Sequence, residues 1–128
     1  MTKPAKILLV DDDPVFVEAT KIVLESKYQV ITAHDGGEGL EKARKQKPDL
    51  ILLDVIMPAE DGFHVCKQLK QDPKLADIPV IMLTSFAQHK GETNIPVSDG
   101  LELEAEGYLE KPISPEALLK QVGNMLKK

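Results

Sequence analysis

The sequence predicts a three-layer α/β sandwich, a parallel five-stranded sheet held between two layers of helices. Three apolar runs, ILLV at 7–10, LILL at 50–53 and VIML at 80–83, are too short for helices and show no polar alternation. Such runs suit strands buried on both faces, as parallel sheets require. The stretches between them carry helical periodicity and helix caps. Strand and helix therefore alternate along the chain, and parallel neighbours are joined by right-handed crossovers.

Taken in order, ILLV forms the first strand. A helix follows from Pro14 to Ser26, with Val15, Phe16, Ala19, Ile22 and Val23 as its apolar stripe. Asp13 is its N-cap, because Pro14 fits the first helical position behind it. YQVIT at 28–32 alternates in part and gives the second strand. Asp35 and Glu38 have capping-box spacing and open the second helix, whose Leu40 and Ala43 face inward until KPD stops it at 47–49. LILL is the third strand. Asp61-Gly62 turns into a third helix marked by Phe63, Cys66 and Leu69 and ended by DPK at 72–74. VIML is the fourth strand. Between Thr84 and Tyr108 the pattern breaks at Gly91 and Pro96, which predicts a loop through Pro96 and a short helix over 98–104. GYLE at 107–110 is a weaker strand at an edge. Ser114, Pro115 and Glu116 start the last helix, with Ala117, Leu118, Val122 and Met125 inward.

The 128 residues are enough for one domain, expected over 1–128, with a single core. A formal net charge of −5 argues against direct nucleic-acid binding and against an anionic membrane surface. The lone Cys66 excludes an internal disulfide and fits a reducing cytoplasm. No apolar run approaches the ~20 residues of a membrane span, so a cytoplasmic protein is expected. His34, His64 and His89 are scattered and form no metal set. DGGEG at 35–39 lacks the spacing of a phosphate loop and reads as a turn and helix start.

The residues capable of chemistry collect at strand ends. Asp11 and Asp12 follow the first strand, Asp54 the third, Thr84 the fourth and Lys111 the fifth. In an open parallel sheet these carboxyl ends are where ligands bind. Several carboxylates in contact need a counter-charge, and oxygen-only donors favour Mg2+ or Mn2+ over Zn2+. With the Lys111 ammonium and the Thr84 hydroxyl added, the set makes a place for a phosphoryl group, one carboxylate being the nucleophile.

ILLVDDDP, PDLILLDVIMPAEDGF, IPVIMLTS and GYLEKPISPEALL occur in this order and spacing. Over nearly its whole length the chain resembles a response-regulator receiver domain of two-component signal transduction. The resemblance implies a flavodoxin-like fold with strand order 2-1-3-4-5 and five helices, the fourth irregular here. It implies Asp54 as the phospho-acceptor. Asp12 would ligate Mg2+ directly and Asp11 through water, with Asp54 and the backbone carbonyl of Ile56 completing the protein's share. Lys111 would pair with the phosphoryl group, Thr84 would swing in to bond it, and Tyr108 would follow as an aromatic switch. The Lys111–Pro112 bond would be cis.

The implied partners are a sensor histidine kinase or histidine phosphotransfer protein and an unknown downstream protein. The latter would be controlled through the surface of the fourth helix, fifth strand and fifth helix. The implied protein is a monomer or weak dimer, catalysing only its own phosphorylation and slow dephosphorylation. It is either a stand-alone regulator or the receiver of a longer chain. Ile56 and Phe86, two residues past Asp54 and Thr84, stand where the family tunes attack of water on the acyl phosphate. Two apolar groups there predict slow hydrolysis. The 88–97 segment is longer than is usual in the family.

Two other readings compete. A haloacid-dehalogenase-like phosphohydrolase would use Asp11 and Asp13 as an Asp-x-Asp motif, with Thr84 and Lys111 as its later motifs. It leaves Asp54 without a role and lacks an acidic motif after the lysine. An unphosphorylated interaction module of the same fold is the other.

Overall fold

Runs buried on both faces need helices on both faces, and the chain supplies them. The computed structural model describes residues 4–54, 62–84, 105–111 and 113–126. Its elements are β1 (Lys6–Val10), α1 (Pro14–Glu25), β2 (Gln29–Ala33), α2 (Gly36–Gln46), β3 (Leu50–Asp54), α3 (Gly62–Gln71), β4 (Val80–Thr84), β5 (Gly107–Glu110) and α4 (Pro115–Leu126). The strands pair in parallel in the order β2-β1-β3-β4-β5. The fold is therefore the flavodoxin-like sandwich expected, with four helices among the described residues. The predicted irregular segment 88–97 and the helix over 98–104 lie outside those residues, as does the side chain of Phe63.

The pleat sends alternate side chains to opposite faces. Leu8, Val10, Ile51, Leu53, Val80 and Met82 pack with Leu40 and Ala43 of α2 and Val65, Cys66 and Leu69 of α3. Ile7, Leu9, Leu50, Leu52, Ile81 and Leu83 pack on the other side with Val17 and Leu24 of α1 and Leu118 and Val122 of α4. Both halves of each run are thus core, which is why the runs show no alternation. β5, at the edge, alternates between half-buried and exposed positions.

One predicted face is wrong by a single residue. The five-position stripe of α1 starts at Phe16, not Val15: Val17, Thr20 and Leu24 are buried and Phe16 and Val23 are packed against the core. Val15, Ala19 and Ile22 point outward, Val15 and Ile22 being 77% and 63% exposed. Both phases offer apolar residues, and Thr20, a polar residue that is buried, disguises the true one. In α4, Ala117 is likewise exposed; Leu118 and Val122 fill the core, with Leu119, Met125 and Leu126 packed around them.

The helix starts behave as their caps dictate. Asp13 Oδ1 accepts from the backbone N–H of Val15 at 3.0 Å and Phe16 at 3.3 Å, and Ser114 Oγ from Ala117 N–H at 3.1 Å. Asp35 accepts from Glu38 N–H at 2.8 Å. The Glu38 carboxylate returns to His34 N–H at 2.8 Å, one residue short of a standard capping box. That N–H, and then Lys42, hold the Glu38 carboxyl below its usual range. Its support of the helix start is therefore present at neutral pH and lost as acid passes through the lowered pKa.

α2 ends on Lys47, whose φ of 48° lies in the left-handed region. Glycine adopts that conformation without steric cost. Lys47→Gly is expected to stabilise the fold by about 0.5–1 kcal/mol, the relieved strain exceeding the entropy added to the unfolded chain. Urea unfolding measures this, and a lowered midpoint would contradict it.

At the opposite edge from the strand carboxyl ends, the Lys70 ammonium is buried. It donates to the carbonyls of Ala76 and Ile78 at 3.2 and 2.8 Å and to both carboxylate oxygens of Glu106 at 3.0 Å. Glu106 also accepts from Val80 N–H at 2.7 Å. This network pins the start of β5 to α3 and β4, and so fixes where β5 delivers Lys111.

Candidate functional site

The order β2-β1-β3 reverses direction at β1, and Asp11 stands just past that strand. Its N–H donates to Ala33 O at 3.1 Å, carrying the β1–β2 ladder one residue further. The step holds its carboxylate inside the protein: Asp11 is fully buried, and Asp54 and Thr84, the last residues of β3 and β4, are 3% and 2% exposed. Asp12 remains exposed to solvent. Asp11, Asp12 and Asp54 each offer a carboxylate oxygen, and the three atoms lie within 4.8 Å of one another.

Lys111 enters from β5. Its N–H donates to Thr84 O at 2.6 Å, fixing the base of the side chain at the end of β4. Its Nζ donates to Asp11 Oδ2 at 2.7 Å and lies 3.6 Å from Asp54 Oδ1. Asp11 Oδ1 accepts from Asp13 N–H at 2.9 Å. The Lys111 Nζ also sits 4.3 Å from the centroid of the Phe16 ring.

Three carboxylates with one ammonium leave a surplus of two negative charges. A hard divalent cation matches both that surplus and the all-oxygen donor set, and exposed Asp12 gives it a way in. The donor set fits Mg2+ on these grounds. Asp13, by contrast, is exposed and its carboxylate caps α1. The hydrolase reading therefore lacks the second acid of its Asp-x-Asp motif.

The structure thus brings together Asp11, Asp12, Asp54 and Lys111, with Thr84 buried at the same sheet edge. Tyr108, paired in register with Met82, is 40% exposed on the edge strand. Partial desolvation, with Cys66 as a second influence, lifts its phenol above the usual pKa. Ile56, Phe86 and Pro112, expected as a carbonyl ligand, as part of a hydrolysis-tuning pair and in a cis peptide, lie outside the described residues. The sequence places Phe16 only in the helix stripe and does not reveal its contact with Lys111. Its place in the first turn after the acidic run was the available signal.

Residues 7–123 match the response regulator receiver domain family, and the chain belongs to it. It is 46% identical over 124 residues to the alkaline phosphatase synthesis transcriptional regulatory protein PhoP of Bacillus subtilis, covering 96% of this chain and 49% of PhoP. The chain thus spans about half of that relative. It is 37% identical over 123 residues to protein PilH of Pseudomonas aeruginosa, covering 95% of this chain and 98% of PilH. The receiver domain of sensor histidine kinase PA1611 from Pseudomonas aeruginosa superposes with a TM-score of 0.86 at 26% identity, covering 98% of this chain and 99% of that one. That structure holds a magnesium ion in its active site cleft. The class is thereby fixed: a response regulator receiver domain of two-component systems. No helix among the described residues is long and apolar enough to cross a membrane.

Proposed function

We propose that the chain is a phospho-acceptor switch in which Asp54 takes a phosphoryl group from a histidine kinase or histidine phosphotransfer protein. One observation carries this reading. Buried Asp54 shares one sheet edge with two further carboxylates and the Lys111 ammonium, a charge cluster suited to receiving a phosphoryl group.

An Asp54 carboxylate oxygen attacks the phosphorus of a phosphohistidine or acyl phosphate donor. The bond from phosphorus to the leaving imidazole or carboxylate breaks, its electron pair departs with that group, and Asp54 becomes an aspartyl phosphate. Mg2+ held by Asp11, Asp12 and Asp54 would supply neutralising charge for the phosphoryl oxygens. Lys111, 3.6 Å from Asp54 Oδ1, needs only a small shift to meet those oxygens, and Thr84 brings a hydroxyl donor from the end of β4. The modification adds about −1.5 to −2 charges and strong acceptors. Arrangements of Thr84 and Tyr108 that satisfy those acceptors gain population, and a downstream protein reads the altered surface around β5 and α4.

Beryllofluoride with Mg2+ is expected to shift the amide resonances of Thr84, Tyr108 and Lys111. No shift would contradict the switch and favour the unphosphorylated interaction module. Ile56 and Phe86 are proposed to shield the acyl phosphate from water. The double variant Ile56→Asn, Phe86→Glu is expected to shorten its half-life about tenfold, ~1.4 kcal/mol in the barrier. A half-life unchanged or longer would contradict the shielding.

A further inference from the structure

Lys111 is held by more than carboxylates. Its ammonium lies 4.3 Å from the centroid of Phe16, over the ring, while the lysine side chain is only 17% exposed. A cation over an aromatic face is attracted by the ring quadrupole, more strongly as water is excluded. Phe16 owes its place to the site's own neighbour: its N–H is bonded by the Asp13 cap at 3.3 Å, and Asp13 N–H in turn bonds Asp11 at 2.9 Å. Ring, cap and acid form one connected unit.

We propose that Phe16 is a positioning residue, an aromatic seat that keeps the Lys111 ammonium inside the cleft through the phosphorylation cycle. The contribution of the seat changes with the state of the site. In the resting protein, Asp11 at 2.7 Å and Asp54 at 3.6 Å hold the ammonium electrostatically. Once those carboxylates are shared with a divalent cation, Lys111 keeps less of their charge and has a like charge close by. The ring face carries no net charge and loses nothing. It then keeps Lys111 beside Asp54 until phosphoryl oxygens provide a new partner. An aliphatic side chain of similar volume would fill the same space against the core without that attraction. The role of the ring after metal binding rests on Asp54 being the phospho-acceptor; the resting seat does not depend on it.

Phe16→Leu keeps the packing and removes the ring, while mono- and trifluorinated phenylalanine at position 16 keep the shape and drain the ring face of electron density. At saturating Mg2+, the half-saturating concentration of beryllofluoride is expected to rise stepwise along the fluorinated series. It should reach about three- to fivefold with the trifluorinated ring and with leucine. Phe16→Trp should match or tighten the wild-type value, and Mg2+ affinity without beryllofluoride should stay within about twofold throughout. In the metal-free wild type, the Lys111 ε-methylene resonances should show an upfield ring-current shift that Phe16→Leu abolishes. A flat response along the fluorinated series, or no ring-current shift, would overturn the seat. If the wild type itself binds no beryllofluoride with Mg2+, the phospho-acceptor reading fails instead, and the ring-current shift alone decides the seat.

Discussion

Asp54→Asn will take up no phosphate from acetyl phosphate and Mg2+, a loss of at least about a thousandfold, ~4 kcal/mol in the barrier. The amide matches the carboxylate in shape, so the 3% exposed position stays filled. Its oxygen is far less nucleophilic than a carboxylate. Asp11 is the alternative nucleophile, but its two oxygens are already committed to Asp13 N–H and Lys111. The fold should survive: the substitution removes one charge from a site with two in surplus, which relieves repulsion. Folding and chemistry are thus separable, the variant being at least as stable as the wild type and unable to be labelled. The chain has no tryptophan, so a phosphate-affinity mobility gel is the suitable readout. A shifted band with Asp54→Asn would contradict the assignment.

The second large effect concerns the ammonium. Lys111→Met keeps most of the stem and removes the charge facing fully buried Asp11. Taking one partner from a buried ion pair costs about 3–5 kcal/mol when nothing replaces it. Here the lysine is 17% exposed and water reaches the site beside Asp12, so a loss of about 2–3 kcal/mol is expected in the metal-free protein. Mg2+ should restore much of it, because a ligand that binds only the folded state stabilises it by mass action. The Tm of Lys111→Met should therefore start below the wild type and rise more steeply with Mg2+. A metal-free Tm equal to the wild type would show that the Lys111–Asp11 bond contributes little. Parallel Mg2+ dependence in the two proteins would show that lysine and cation do not share the acids.

The sheet was legible in the sequence because β1, β3 and β4 are buried on both faces, leaving continuous apolar runs such as Leu50–Leu53. The candidate site's grouping was legible because parallel topology gathers strand ends, so Asp11, Asp54 and Lys111 could be placed together although 43 and 57 positions separate them in the chain. The phase of α1 was not legible. Its apolar residues admit two stripes one position apart, and the choice turns on Thr20 being buried and Ile22 exposed, which local sequence does not decide. The Lys70–Glu106 network that anchors β5 escaped notice for a related reason. A lysine near a helix end ordinarily faces water, and only the fold encloses this one with two carbonyls and a carboxylate. The contact of Phe16 with Lys111 joins the first turn of α1 to the end of β5, a distance no local pattern spans.

The identity of the aspartate that carries the phosphoryl group separates the switch from the hydrolase. After incubation with acetyl phosphate and Mg2+, borohydride reduction converts an aspartyl phosphate to homoserine, and peptide mass spectrometry locates it. The prediction is homoserine at position 54 and nowhere else. Homoserine at position 11 would instead establish the hydrolase chemistry and contradict the switch.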